Sequence, residues 1–100
     1  MSVFTSLKPL FESKTIAPTY KLSHIIYTFF FLGKSSQGVG RYRIKDEIGL
    51  GEGSTKTLLT RLKDENFISI ETKKQLGHSL TPKGLEIFNQ LIQIIPIPMN

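Results

Sequence analysis

Cysteine is absent from this chain, so neither disulfides nor thiolate chemistry is open to it. Histidine is scarce. His24 and His78 stand far apart with no ligand set around them, and neither a metal site nor any other cofactor is expected. Long hydrophobic runs are missing too: the longest, residues 25–32, is broken by Thr28 and falls far short of the roughly 18–20 residues a membrane span needs. The opening MSVFTSLKPLFESK lacks a basic stretch followed by an apolar block, so no signal peptide is expected and the default location is cytoplasmic. Acids are outnumbered, and the net charge is +5. The excess lies in residues 1–63, whereas residues 64–100 are slightly acidic. A bias of this size suits a polyanionic partner, although many inert domains share it.

What is present fits one folded domain. One hundred residues allow one core and not two, and 39% hydrophobic with 21% charged residues separates the chain from disordered sequences. Residues 1–19 read as an arm, with Phe4, Leu7, Leu10 and Phe11 at helical spacing and Pro9 interrupting. Its expected task is to lay apolar residues on another surface, such as a second subunit. Residues 20–32 are the first helix, with Leu22, Ile25, Ile26, Phe29 and Leu32 turned inward and Gly33 as its stop. Tyr27, Phe30 and Phe31 add a second oily face, which calls for packing on the arm, the last helix or a partner chain.

The stretch YRIKDEIGLGEGSTKTLLTRLKDENFI, residues 42–68, organises the rest. After a loop at 34–40, residues 40–43 alternate basic and aromatic, which suits a very short strand, and Tyr42 reads as core. Residues 44–50 form a helix with Ile44, Ile48 and Leu50 inward. A glycine-broken turn at 49–53 follows, with Leu50 as the apolar plug. The next helix, about residues 53–65, starts at Gly51 or at Ser54. Leu58, Leu59 and Leu62 face inward, and Asn66 ends it because Asn tolerates the left-handed conformation. Two helices joined so tightly present the second outward, as in a helix-turn-helix. FISIET at 67–72 reads as a strand, KKQLG as a reversal, and 78–81 as the returning strand. Thr81 as N-cap and Pro82 at the first helical position open a last helix running to about residue 95. That helix carries two apolar stripes, Leu85-Phe88-Ile92-Ile95 and Ile87-Leu91-Ile94. Residues 96–100, IPIPMN with the preceding Ile95, look like a tail or linker.

This order predicts an α+β fold, mostly α: a winged helix-turn-helix of residues 20–95, with a three-helix core, a two-stranded wing with a short third strand, and a long C-terminal helix. Two motifs make the likeness specific. IGLGEGSTKTLLTRLKDENFI, residues 48–68, resembles the helix-turn-helix of MarR and PadR type regulators without insertion or deletion. LTPKG, residues 80–84, resembles the LTxxG that closes the wing and opens the last helix in that superfamily. The chain is also similar to archaeal proteins that carry such a domain at the N-terminus. The sequence departs from the MarR and PadR pattern in three places. Gly51-Glu52-Gly53 replaces a Ser-Arg-Ser type start, Asn66 replaces Gly, and the short wing holds Lys73-Lys74 rather than arginines. Glu52 near the groove would repel phosphate.

The resemblance implies sequence-specific binding of double-stranded DNA as a transcription regulator, by a homodimer joined through the first and last helices. Ser54, Lys56 and Thr57, with Thr55 beside them, would meet base edges or phosphates, while Thr60 and Arg61 would meet the backbone. Arg61 could instead hold Asp46 or Glu65. Lys73 and Lys74, in a wing at 72–78, would grip phosphate or the minor groove, or merely keep a hairpin soluble. Arg41 and Arg43 would touch the backbone or flank an edge strand. An alternative is a winged helix used for protein contact, or the N-terminal domain of a longer regulator. A nucleotide-binding reading of GLGEGSTKT fails, since Thr55 stands where a P-loop needs Gly before Lys. Nothing arranges a catalytic triad, and no enzyme is expected.

Overall fold

The computed structural model of the chain describes residues 5, 7, 8, 20–35, 38–71 and 77–94. The fold is α+β and mostly helical: α1 (Leu22–Lys34), α2 (Arg41–Ile48), α3 (Glu52–Asp64), β1 (Ile68–Glu71), β2 (Gly77–Leu80) and α4 (Pro82–Ile94). Lys73, Lys74 and Ile95 lie outside the described residues. None of the described helices is long and apolar enough to cross a membrane.

The core forms where one stripe from each helix meets the inner face of the hairpin. From α1 come Ile25, Phe29, Phe30 and Leu32, and the Phe29 ring meets Phe67 edge-on at 5.6 Å. Leu22, expected inward, is 37% exposed because it stands at the first residue of the helix, ahead of the packed turns. Gly33 does not stop α1. The helix continues to Lys34, and the Phe88 ring of α4 occupies the space a Cβ at Gly33 would need. Phe88 also meets Phe30 at 6.3 Å, so part of the second oily face of α1 is covered within the chain by α4. Leu7 of the arm is fully buried in this same core, so at that residue the arm packs on its own domain.

The strand expected at 40–43 is helix instead. Gly40 is the extended N-cap, its carbonyl accepts the Ile44 amide at 3.1 Å, and Arg41–Arg43 form the first turn of α2. Three alternating residues are too few to specify a strand when Ile44 and Ile48 anchor a helix just beyond. The short third strand shrinks to one antiparallel bridge between Val39 and His78, with N–H to O=C distances of 3.0 and 2.8 Å. Tyr42, expected in the core, is 61% exposed.

Gly49 ends α2 in the left-handed conformation (φ 70°), and Leu50, half-buried, packs on the core. Helix α3 then starts at the earlier of the two expected positions. Gly51 is its N-cap, and the Gly51 carbonyl accepts both the amide and the hydroxyl of Thr55, at 2.9 and 2.8 Å. At the other end Asn66 is left-handed (φ 65°). Its amide bonds Lys63 O, and Phe67 N–H reaches back to Leu62 O, both at 2.9 Å, which is a Schellman stop.

The LTPKG stretch is a clamp on that stop. The Thr81 hydroxyl accepts the Gly84 amide at 3.1 Å as N-cap of α4 and donates to Asn66 O at 2.6 Å. Lys83 donates to Glu65 O at 2.8 Å, with its ammonium 4.5 Å from the Phe67 ring centre. Gly84 lies against the Phe67 carbonyl, where a Cβ has no room. Of the two stripes on α4, Ile87 and Leu91 are buried, while Leu85 and Ile92 of one stripe and Ile94 of the other are 44%, 40% and 55% exposed.

Candidate nucleic-acid interface

Helix periodicity divides α3 into two faces. Thr55, Leu58, Leu59 and Leu62 are buried; Glu52, Lys56, Thr57, Thr60 and Lys63 are exposed; Ser54 and Arg61 lie half-buried between them. The expected contact residues therefore separate. Lys56, Thr57 and Thr60 share the outer face. Thr55 does not belong to it, because it stands one turn from Leu58 and Leu59, is fully buried, and returns its hydroxyl to Gly51 O. Thr57 likewise bonds Gly53 O at 3.0 Å, but from the exposed side.

Arg61 turns away from the outer face. Its Nη1 donates to the Tyr20 hydroxyl at 3.4 Å, and its guanidinium carbon lies 5.9 Å from the Tyr20 ring centre. Tyr20, just ahead of α1, is thus one partner of Arg61, for which sequence reasoning had offered Asp46 or Glu65. Burial raises the Tyr20 pKa above its ordinary value, and the hydrogen bond and charge of Arg61 offset this only in part.

Arg41 and Arg43 also part company. Two residues apart on α2, they point about 200° from each other. Arg43 extends over the Phe31 ring at 5.6 Å, away from Arg41. Arg41 Nη2 lies 3.7 Å from Glu52 Oε1, and the Tyr42 hydroxyl donates to the same oxygen at 3.2 Å. The acid that opens α3 is thus faced by a guanidinium and a phenol rather than standing alone. An exposed pair of this kind adds only about 0–1 kcal/mol to stability, so its effect is on local potential.

Between α3, the start of α2 and the hairpin lies a groove of about 250 Å³, lined by Arg41, by Lys56, Leu59, Thr60, Lys63 and Asp64 of α3, and by Ile70 and His78 of the hairpin. Ile70 and His78 are cross-strand partners in the β1–β2 register, so their side chains share one face of the hairpin. The His78 ring is held there by Nδ1 at 2.9 Å from Val39 O. Sequence reasoning missed Lys63 and His78 as site residues. Lys63 was legible, being seven residues beyond Lys56 and hence on its face. His78 was not, since its position depends on the Val39 bridge. Among the described residues no three His, Asp or Glu side chains gather as a metal-ligand set.

These features define a small, mostly helical α+β domain with a cation-lined groove beside α3. The chain belongs to the family described as PH0730-like, N-terminal domain, a family of archaeal name whose model matches residues 21–86. The match covers α1 through the first turns of α4, including both motifs on which the sequence resemblance rests. No curated protein and no solved structure matches the chain.

Proposed function

We propose that this domain is a winged helix-turn-helix of the MarR and PadR kind, binding double-stranded DNA as a non-enzymatic cytoplasmic transcription regulator. Helix α3 enters the major groove, the hairpin lies on the backbone or minor groove, and α1 and α4 join two copies. The observation that carries the reading is the outer face of α3, where Lys56, Thr57, Thr60 and Lys63 are exposed together. Lys56 and Thr57, with half-buried Ser54 at the edge, reach bases or phosphates, and Thr60 reaches the backbone. The clamp of Thr81, Lys83 and Gly84 supports the arrangement by tying the hairpin exit to the end of α3.

Fluorescence anisotropy with duplex DNA over a salt series tests this. Affinity falls linearly with salt on logarithmic axes, and Lys56→Ala reduces the slope by about 0.9 if its ammonium neutralises one phosphate. Absence of duplex binding at low salt, or binding indifferent to Lys56→Ala and Thr60→Ala together, rejects the proposal.

A second reading is favoured by Leu85 and Ile92, exposed seven residues apart on one side of α4. It makes the domain a protein-contact module, and the same anisotropy series separates the two. The family description, an N-terminal domain, supports a place at the start of a longer regulator.

A further inference from the structure

We infer that the groove between α3 and the hairpin seats one phosphate of the bound duplex backbone, with Lys63 and Arg41 as its ligands beside Lys56. This rests on the DNA-binding reading and adds residues and a location to it. Three cations from two helices converge on one concavity that the hairpin closes from the far side. Asp64 is the one acid in the lining and Glu52 faces Arg41, so three cations stand against two acids and positive charge prevails. Lys56, Thr60 and Lys63 stand at i, i+4 and i+7, so the groove continues the outer face of α3 and meets the strand flanking the major groove.

Arg41 supplies the sharpest sign of a missing acceptor. Its Nη2 is turned to Glu52, but its Nε is buried and has no hydrogen-bond partner among the described residues. Buried donors are almost always satisfied. A rotation of the Arg41 side chain that uncovers Nε–H toward the groove would let a phosphate oxygen accept from it, and the Arg41–Glu52 pair would then share its cation with the incoming anion. A volume of about 250 Å³ with cationic walls suits this ligand. It lies below the roughly 300–1,000 Å³ of clefts that enclose organic ligands.

The test has two arms. In the first, the ¹⁵N-labelled chain is titrated with deoxyadenosine 5′-monophosphate and with deoxyadenosine at constant ionic strength. Saturable shifts at Arg41 Nε–H and at the amides of Thr60, Lys63 and His78, seen with the monophosphate alone, are expected. Lys63→Gln weakens them at least threefold. Equal shifts with both compounds, or shifts spread evenly over Lys34, Lys45 and Lys83, overturn the inference. In the second arm, Lys63→Gln lowers the salt slope of duplex binding by about 0.9. Duplex binding whose slope neither Lys63→Gln nor Arg41→Gln changes overturns this inference alone. Monophosphate binding without duplex binding overturns both it and the DNA reading. Lys63 is exposed, so its variant keeps the test independent of folding.

Discussion

Tyr20 and Gly84 show how single residues set the limits of this fold. The Tyr20 hydroxyl is harder to ionise in the folded chain than in the unfolded one, because burial outweighs the help of Arg61. The unfolded chain therefore releases that proton first. The stabilisation is complete below about pH 10, the ordinary tyrosine value, and is lost as pH rises through the higher folded value. Urea denaturation between pH 9 and 11 should show a steeper fall in midpoint for the native chain than for Tyr20→Phe. Gly84 faces a different constraint. A methyl group there meets the Phe67 carbonyl, and backbone cannot rotate aside. Gly84→Ala should cost about 1–3 kcal/mol as overpacking, despite the better helix propensity of alanine. At about 4–8 °C per kcal/mol for a chain of this size, calorimetry resolves that loss. Gly33→Ala would meet the Phe88 ring down to its Cγ, which turning the ring does not move, so Phe88 must swing away from Phe30 and the melting temperature should fall here too.

At the level of elements, the proposed DNA-binding role would separate stability from binding along the single helix α3. Thr55→Ala should destabilise the domain, since it opens a cavity in the core beside Leu58 and Leu59, and leave duplex affinity of the folded protein unchanged. Lys56→Ala and Thr60→Ala should do the reverse, lowering affinity at constant thermal stability. Parallel melting curves and anisotropy on the three variants check the division. The junction of α3, hairpin and α4 is equally specific. Thr81 both caps α4 and holds Asn66 O, so Thr81→Ala removes a cap worth about 0.5–2 kcal/mol and leaves that carbonyl without this donor. Equilibrium denaturation should register a loss toward the upper end of that range.

For the whole molecule, the open question of assembly falls on α4. Leu85 and Ile92 project from a flank about 130° round the helix from the buried pair Ile87 and Leu91, with half-buried Phe88 between. If two copies join through this helix, Leu85→Glu with Ile92→Glu yields monomers by light scattering and weakens duplex binding. A native chain that is already monomeric removes the dimer while leaving the outer face of α3 testable. The burial of Leu7 makes the same point from the other end, because apolar arm residues that read as a surface for a second subunit include one consumed by the core.

How far the sequence carried is clear from particular elements. The spacing of Leu58, Leu59 and Leu62, the left-handed Asn66, and Thr81-Pro82 before an apolar helix are local patterns, and each was legible because its cause lies within a few residues. The same holds for Lys56 and Lys63 on the outer face of α3, which they share with Glu52 and Asp64. By itself, then, the sequence determined the order of the helices and the hairpin and which residues of α3 face outward, though not that residues 41–43 open α2. Tertiary structure alone decided how the two apolar stripes on α4 divide: Ile87 and Leu91 are buried, Phe88 packs on Gly33 and Phe30 of α1, and Leu85, Ile92 and Ile94 stay exposed. It also turned Arg61 toward Tyr20, 41 positions away, paired Arg41 with Glu52, and brought His78 beside α3 through the bridge to Val39. Periodicity names a face, but only the packed chain places another group in front of it.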